Sequence, residues 1–273
     1  MDYLTGSSEP FLRFSVFAGI LIAMALFEVM APRRKLNSPK ATRWLTNFTI
    51  VAIDTAVVRL MGALVVPIAA VAAAVYAETH GWGLFNLIAL PVWVEFVLAL
   101  LILDFAIWFQ HYVSHKVSLF WRLHRVHHAD VDFDVSTAIR FHPVEIALSM
   151  LWKIALVFVF GPAAAAVVVF EVILNGCAMF NHANIALPAW LDRALRTVIV
   201  TPDMHRVHHS VIRSEHDSNF GFNLSIWDRL LGTYTAQPQK GHEGMTIGLE
   251  QFPAPAPTRL LWSLALPFAS KPR

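Results

Sequence analysis

Four long apolar stretches alternate with shorter polar ones along the 273 residues. A helix crossing the hydrocarbon of a bilayer needs about 20 mostly apolar residues. Residues 11–30 meet that length, as do 48–77 and 84–110. A cleaved signal peptide is disfavoured for the first stretch, because what precedes it is not clearly basic and Pro32-Arg33-Arg34 follows directly. The second stretch carries Asp54 and Arg59, six residues apart counting both; polar groups so deep in a span usually face other helices. The fourth stretch, 144–180, is broken by Gly161-Pro162. Proline inside a helix loses a hydrogen bond and clashes with the preceding turn. The pattern therefore predicts two short helices meeting at that break, either as two spans or as a hairpin dipping partly into the membrane.

Charge orients these spans. Arg33, Arg34, Lys35, Lys40 and Arg43 lie between the first two, whereas 77–83 has no Lys or Arg. The positive-inside rule then places 31–44 in the cytoplasm. Following the chain, 111–143 and 181–273 reach the same side, so two separate polar segments can meet there. The tail from 251 is a Pro-rich connector and a short apolar run with Trp262, read as an interfacial segment or a simple docking loop. The expectation is an all-α integral membrane protein in one domain over 1–273. It has about four to five membrane helices and a cytoplasmic helical cap.

Composition agrees: 56% of residues are hydrophobic and only 15% charged, against roughly a quarter charged in soluble domains. A net charge of +2 gives no reason to expect nucleic acid as a partner. With Cys177 as the single cysteine, neither a disulfide framework nor a cysteine zinc site can be built. Metal chemistry, if present, must use histidine and oxygen.

The polar segments supply the histidine. The pentapeptide HRVHH occurs at 124–128 and again at 205–209. On a helix, His124, His127 and His128 share one face, and His205, His208 and His209 repeat the spacing. His111 and His115 are also one helical turn apart. His142 and His182 lie nearby in the two segments, bringing ten of the thirteen histidines together; His80, His216 and His242 read as ordinary hydrogen-bonded residues. One ion takes four to six ligands, so this many imidazoles suit two ions. Each H-x-x-H-H can feed both ions, and a second copy can close the cage from the other side. Imidazole suits iron, zinc, copper or nickel, and spacing alone does not choose among them. The H-E-x-x-H signature of zinc proteases is absent, as is the Glu-x-x-His pattern of soluble di-iron bundles.

The order H-x-x-x-H, H-x-x-H-H, hydrophobic hairpin, H-x-x-H-H resembles the fatty acid hydroxylase/sterol desaturase superfamily. DFAIWFQHYVSH, RFHPVE, TPDMHRVHHS and NFGFNLSIWDRLLGTY are similar to its supporting segments, over roughly 90–235. The resemblance implies two non-haem iron ions and O2 as co-substrate, with zinc as a substitute in purified protein. It implies hydroxylation or desaturation of a C–H bond in a membrane lipid. The candidate ligands are His111, His115, His124, His127, His128, His142, His182, His205, His208 and His209. Some branches of the family lack the histidine at 142. With no haem-binding His-Pro-Gly-Gly segment in the chain, electrons are expected from a separate donor: a cytochrome b5-like protein, a ferredoxin or a reductase.

Carboxylates near ligands are the natural groups to orient imidazole rings, which nominates Asp104, Glu145 and Asp203. Asn181, Asn184 and Asn219 are weaker candidates for the same task, and Trp108, Phe141 and Phe180 for walls of a substrate pocket. Three other classes compete: a membrane metal transporter, a non-redox metal scaffold and a two-zinc hydrolase. A transporter would carry its histidines within the spans, and here they cluster outside them.

Overall fold

A computed structural model describes residues 9–64 and 69–269 of the chain. Among the described residues the protein is all-helical, with only isolated β-bridges. Among the described residues, five helices are long and apolar enough to cross a membrane. In chain order, α1 is Glu9–Met30, α2 Lys40–Leu64, α3 Ala70–Thr79, α4 Leu84–Leu87, α5 Val92–Lys116 and α6 Ser118–His128. A short 3-10 turn, Val135–Ile139, leads to α7, Pro143–Phe160, and α8, Ala164–Asn181. Then α9, Ala189–Leu195, and α10, Pro202–His208, lie in the polar region that follows.

The expected boundaries need three corrections. The span read over 48–77 starts earlier, at Lys40, and gives way to a separate helix at Ala70; residues 65–68 of that reading lie outside the described residues. Pro67 in that sequence cannot donate to a helical ladder. The span read over 84–110 begins only at Val92, after the single turn α4 and Pro91. A residue preceding proline avoids helical dihedrals, which delays the start. The same helix then runs on to Lys116, carrying His111 and His115 within it. The break at Gly161-Pro162 is where the sequence puts it: α7 ends on Gly161 in the left-handed conformation, φ 64°. Space as well as dihedral demands glycine there, since a Cβ on Gly161 would lie 2.5 Å from the Trp82 carbonyl oxygen.

One end of this bundle is wired to the polar segments. Glu28, at the end of α1, accepts the backbone N–H groups of Val135 (2.6 Å) and Asn184 (3.0 Å). The basic stretch between α1 and α2 joins in: Arg33 pairs with Asp203, and the N–H groups of Asn37 and Ser38 reach Asp132. Both HRVHH copies and residues 31–44 therefore sit at the same end. The tail docks beneath α6, where Arg125 donates to the carbonyls of Leu266 and Ala269. Its Leu261 and Phe268 point outward, 80% and 73% exposed.

Arg43 fastens α2 to this end. It is fully buried and forks onto Asp130 at 2.7 and 2.8 Å and Asp134 at 2.6 Å. Burial pushes the Asp130 carboxyl up, and Arg43 overrides that, holding it at about 2. Removing one partner from a buried ion pair strands the other charge and costs about 3–5 kcal/mol. Arg43→Met should accordingly lower the thermal unfolding midpoint of the detergent-purified protein markedly. An unchanged midpoint would show that the network carries no stability.

Candidate metal centre

Nine of the ten candidate histidines converge in two adjacent buried groups. His111, His115, His124, His128 and His208 each offer a nitrogen, all within 4.8 Å of one another; His127, His182, His205 and His209 form the second group by the same measure. The division follows from helical geometry. His124 and His128, one turn apart on α6, face the first group, and His127 between them is rotated into the second. The later repeat divides the other way: His208 joins the first group, and His205 and His209 join the second. The rings of His128 and His209 stack with centroids 4.6 Å apart, so the groups touch.

The matched Arg-Val pairs also gain an explanation. Val126 and Val207 are fully buried. Arg125 bonds the tail, while Arg206 pairs with Asp203, donates to the Ala183 carbonyl and lies over the Phe133 ring. Each pair thus packs the back of a ligand helix and ties it to its neighbour.

Backbone carbonyls do most of the orienting. The Nδ1 atoms of His111, His208, His182 and His127 lie 2.7, 2.6, 2.8 and 3.3 Å from the carbonyl oxygens of Phe220, Ser218, Ala178 and Arg140. A carbonyl only accepts, so each of these rings carries its proton on Nδ1 and turns a bare Nε2 inward. His127 and His182 then face each other with Nε2 atoms 3.2 Å apart and no proton to share. Among the described residues, His208 Nε2 and both nitrogens of His209 meet no hydrogen-bond partner. Burial first, and the neighbouring imidazoles second, push His127, His128, His205 and His209 well below the usual histidine range. Neutral rings with converging lone pairs are the donor set of a first-row metal ion. At a metal–nitrogen bond of about 2.1 Å, neighbouring ligand nitrogens stand about 3.0–3.4 Å apart, which matches the Nε2–Nε2 approaches of 3.0–3.2 Å between His111 and His124, His115 and His128, His127 and His182, and His182 and His205. The residues fit the metal that the sequence suggests.

A scan against family models matches the fatty acid hydroxylase model over residues 96–233. The chain belongs to the fatty acid hydroxylase family. Among curated proteins it is 30% identical over 187 residues to an ornithine lipid hydroxylase of Rhizobium tropici, covering 67% of this chain and 53% of that one. It is 30% identical over 174 residues to human alkylglycerol monooxygenase, covering 63% and 38%. A delta(7)-sterol 5(6)-desaturase of Aspergillus fumigatus is 23% identical over 222 residues, covering 81% and 63%. The chain spans about half or less of the length of the first two relatives. No solved structure matches it.

Within this family member, four sequence expectations change. His142 stands outside both groups: its Nδ1 accepts the Val144 N–H at 3.2 Å and its Nε2 lies 3.2 Å from the Leu264 carbonyl. It caps α7, its Nδ1 accepting one of the N–H groups left free at a helix start. Asp203 serves Arg33 and Arg206, not a ligand ring. Asp104 accepts from Trp227 Nε1 at 2.8 Å and approaches Leu224 N. His216 and Asp217, not nominated from the sequence, form a smaller group with His115. Of the three nominated carboxylates, Glu145 alone meets a cluster ring, His124 Nδ1 at 2.6 Å. Asn181 donates to the Phe222 carbonyl, and Asn184 holds the Arg34 backbone.

A further residue missed in the sequence is Asp228. Its carboxylate accepts the N–H groups of Phe220 and Gly221 at 2.9 and 2.8 Å, Trp108 Nε1 at 3.0 Å and the Thr233 hydroxyl at 2.7 Å. Asn219, left-handed at φ 52°, completes the loop by bonding Met204 and Thr235. This loop delivers the Ser218 and Phe220 carbonyls to His208 and His111. The WDRLLGTY stretch was the available signal, but backbone carbonyls leave no mark in a side-chain pattern. Groups that orient ligands are typically worth about 10–100-fold in metal affinity. Asp228→Ala should therefore weaken metal retention by roughly that factor, read by chelator competition on the metal-loaded protein. Retention equal to the parent would remove Asp228 from the account.

Proposed function

We propose that this protein is an O2-dependent lipid hydroxylase or desaturase holding two iron ions, one in each histidine group. The observation that carries the reading is the pair of adjacent buried, proton-poor imidazole groups, the first of which borders a largely apolar cavity. That cavity, about 740 Å3, lies among α1, α2, α5, α7 and α8 and has His111 and His124 in its wall. Cavities of about 300–1,000 Å3 enclose small ligands. Phe141 lines it, whereas Trp108 and Phe180 do not. The family and the differing lipids named for the relatives support lipid as the substrate class. Sidedness follows the basic 31–44 stretch, which puts the histidines in the cytoplasm. Electrons come from a separate donor.

Bound iron would supply the activation of O2 needed to attack an unreactive C–H bond. The chain's own residues do the rest. His111, His115, His124, His128 and His208 hold one ion; His127, His182, His205 and His209 hold the other. Glu145 and the carbonyls of residues 140, 178, 218 and 220 fix the ring orientations. Phe141 stacks on His127 at 4.5 Å and, with Phe222 beside His111, keeps water from the ligand face that meets the cavity. The lipid reaches this face sideways from the bilayer between helices.

The test is anaerobic iron reconstitution followed by O2 uptake with membrane lipids. Two irons per chain and lipid-dependent uptake are expected, and His127→Ala or His208→Ala should each abolish it. Tight zinc with no redox activity after reconstitution, or full activity in either variant, would defeat the reading.

A further inference from the structure

One residue that the metal centre does not use stands out inside the cavity. Asp54 of α2 is 4% exposed, lines the same cavity as His111 and His124, and its Oδ1 has no hydrogen-bond partner among the described residues. The other cavity acids are answered differently. Glu171 is paired with Arg13 and Lys153, and Glu9 with Arg13. Glu145 accepts from His124 Nδ1 at its Oε1, yet its Oε2 also lacks a partner among the described residues. Among the described residues, Asp54 Oδ1 and Glu145 Oε2 thus lack a donor, and both side chains line the cavity beside the first histidine group.

A carboxyl buried without a donor is costly, and an ionisable residue within a span is normally retained for function. An apolar residue would pack at this position without that penalty. Glu171, in the same cavity, finds its partners within it. Asp54 does not, which leaves its partner to be brought from outside by whatever fills the cavity.

We propose that Asp54 recognises a hydrogen-bond donor on the lipid, a hydroxyl or an amide N–H, and so selects lipids with a donor-bearing polar end. The proposal rests on the reading of this cavity as the lipid site. It also places the polar end of the lipid beside Glu145 and His124, with the hydrocarbon tail running toward Phe14 and Val58.

The experiment uses the metal-loaded full chain in detergent and measures binding, independently of turnover. Hexadecanol and hexadecyl methyl ether differ in the donor hydrogen and little else. The parent protein should bind the alcohol about tenfold more tightly, the worth of one good hydrogen bond. Asp54→Leu should bind both with the affinity of the ether. Asp54→Asn, which keeps a carbonyl acceptor, should retain part of the preference. Without ligand, Asp54→Leu should unfold at a higher temperature than the parent, because the stranded carboxyl is gone; an aspartate of purely structural value would give the reverse. Equal binding of alcohol and ether to the parent would assign Asp54 to an ordered water and overturn the proposal, as would discrimination that survives in Asp54→Leu. Failure of both lipids to bind would reject the cavity as a lipid site, and the proposal with it. Binding without preference would reject the proposal alone.

Discussion

Bare imidazole nitrogens facing each other in a dry interior are the constraint on which this structure turns. His127 and His182 both spend their protons on backbone carbonyls, and their Nε2 atoms then meet at 3.2 Å with nothing between them to share. Such an arrangement is repulsive on its own. It becomes favourable when a cation accepts the lone pairs, and metal binding then contributes directly to folding. The helical bundle, the capping segments and the loop around Asp228 can all be understood as means of holding this pattern in place.

Two kinds of fastening do so. The membrane-side fastening is ionic and buried: Arg43 on Asp130 and Asp134, with Glu28 on the backbone of Val135 and Asn184. It joins α1 and α2 to segments that carry no ligand themselves but precede or follow those that do. The other fastening is a set of carbonyl acceptors. A carbonyl cannot donate, so it fixes the tautomer of a ring more firmly than a hydroxyl or a protonated carboxyl could. Four ligands from four different elements receive the same treatment, and the interior is left with donors pointed only outward.

Much of this was legible in the sequence, and the reasons are specific. Histidine spacing on a helix determines which rings share a face, so the convergence of the repeats could be expected before any coordinates. Gly161-Pro162 breaks a helix by local sterics, which a sequence displays openly. His142 looked equivalent because RFHPVE places a histidine near the others in sequence, and its use of Nδ1 to cap α7 shows only in the folded chain. Asp203 and Asp104 failed as ring-orienting groups because arginine and tryptophan partners from distant segments, Arg206 with Arg33 and Trp227, took them first. The orienting carbonyls of Phe220 and Ser218 belong to the backbone, and no residue type announces them. Asp54 was visible as a polar residue in a span, but its lack of a partner is a property of the folded interior.

The central claim is that two metal ions are each bound almost wholly by imidazole. Iron-edge X-ray absorption on the reconstituted protein tests it most directly. The account predicts a nitrogen-dominated shell with the multiple scattering of several imidazoles, four to five per ion as the two groups supply, and a second iron near the first. A shell dominated by carboxylate oxygen, or a single isolated iron with one or two imidazoles, would contradict it.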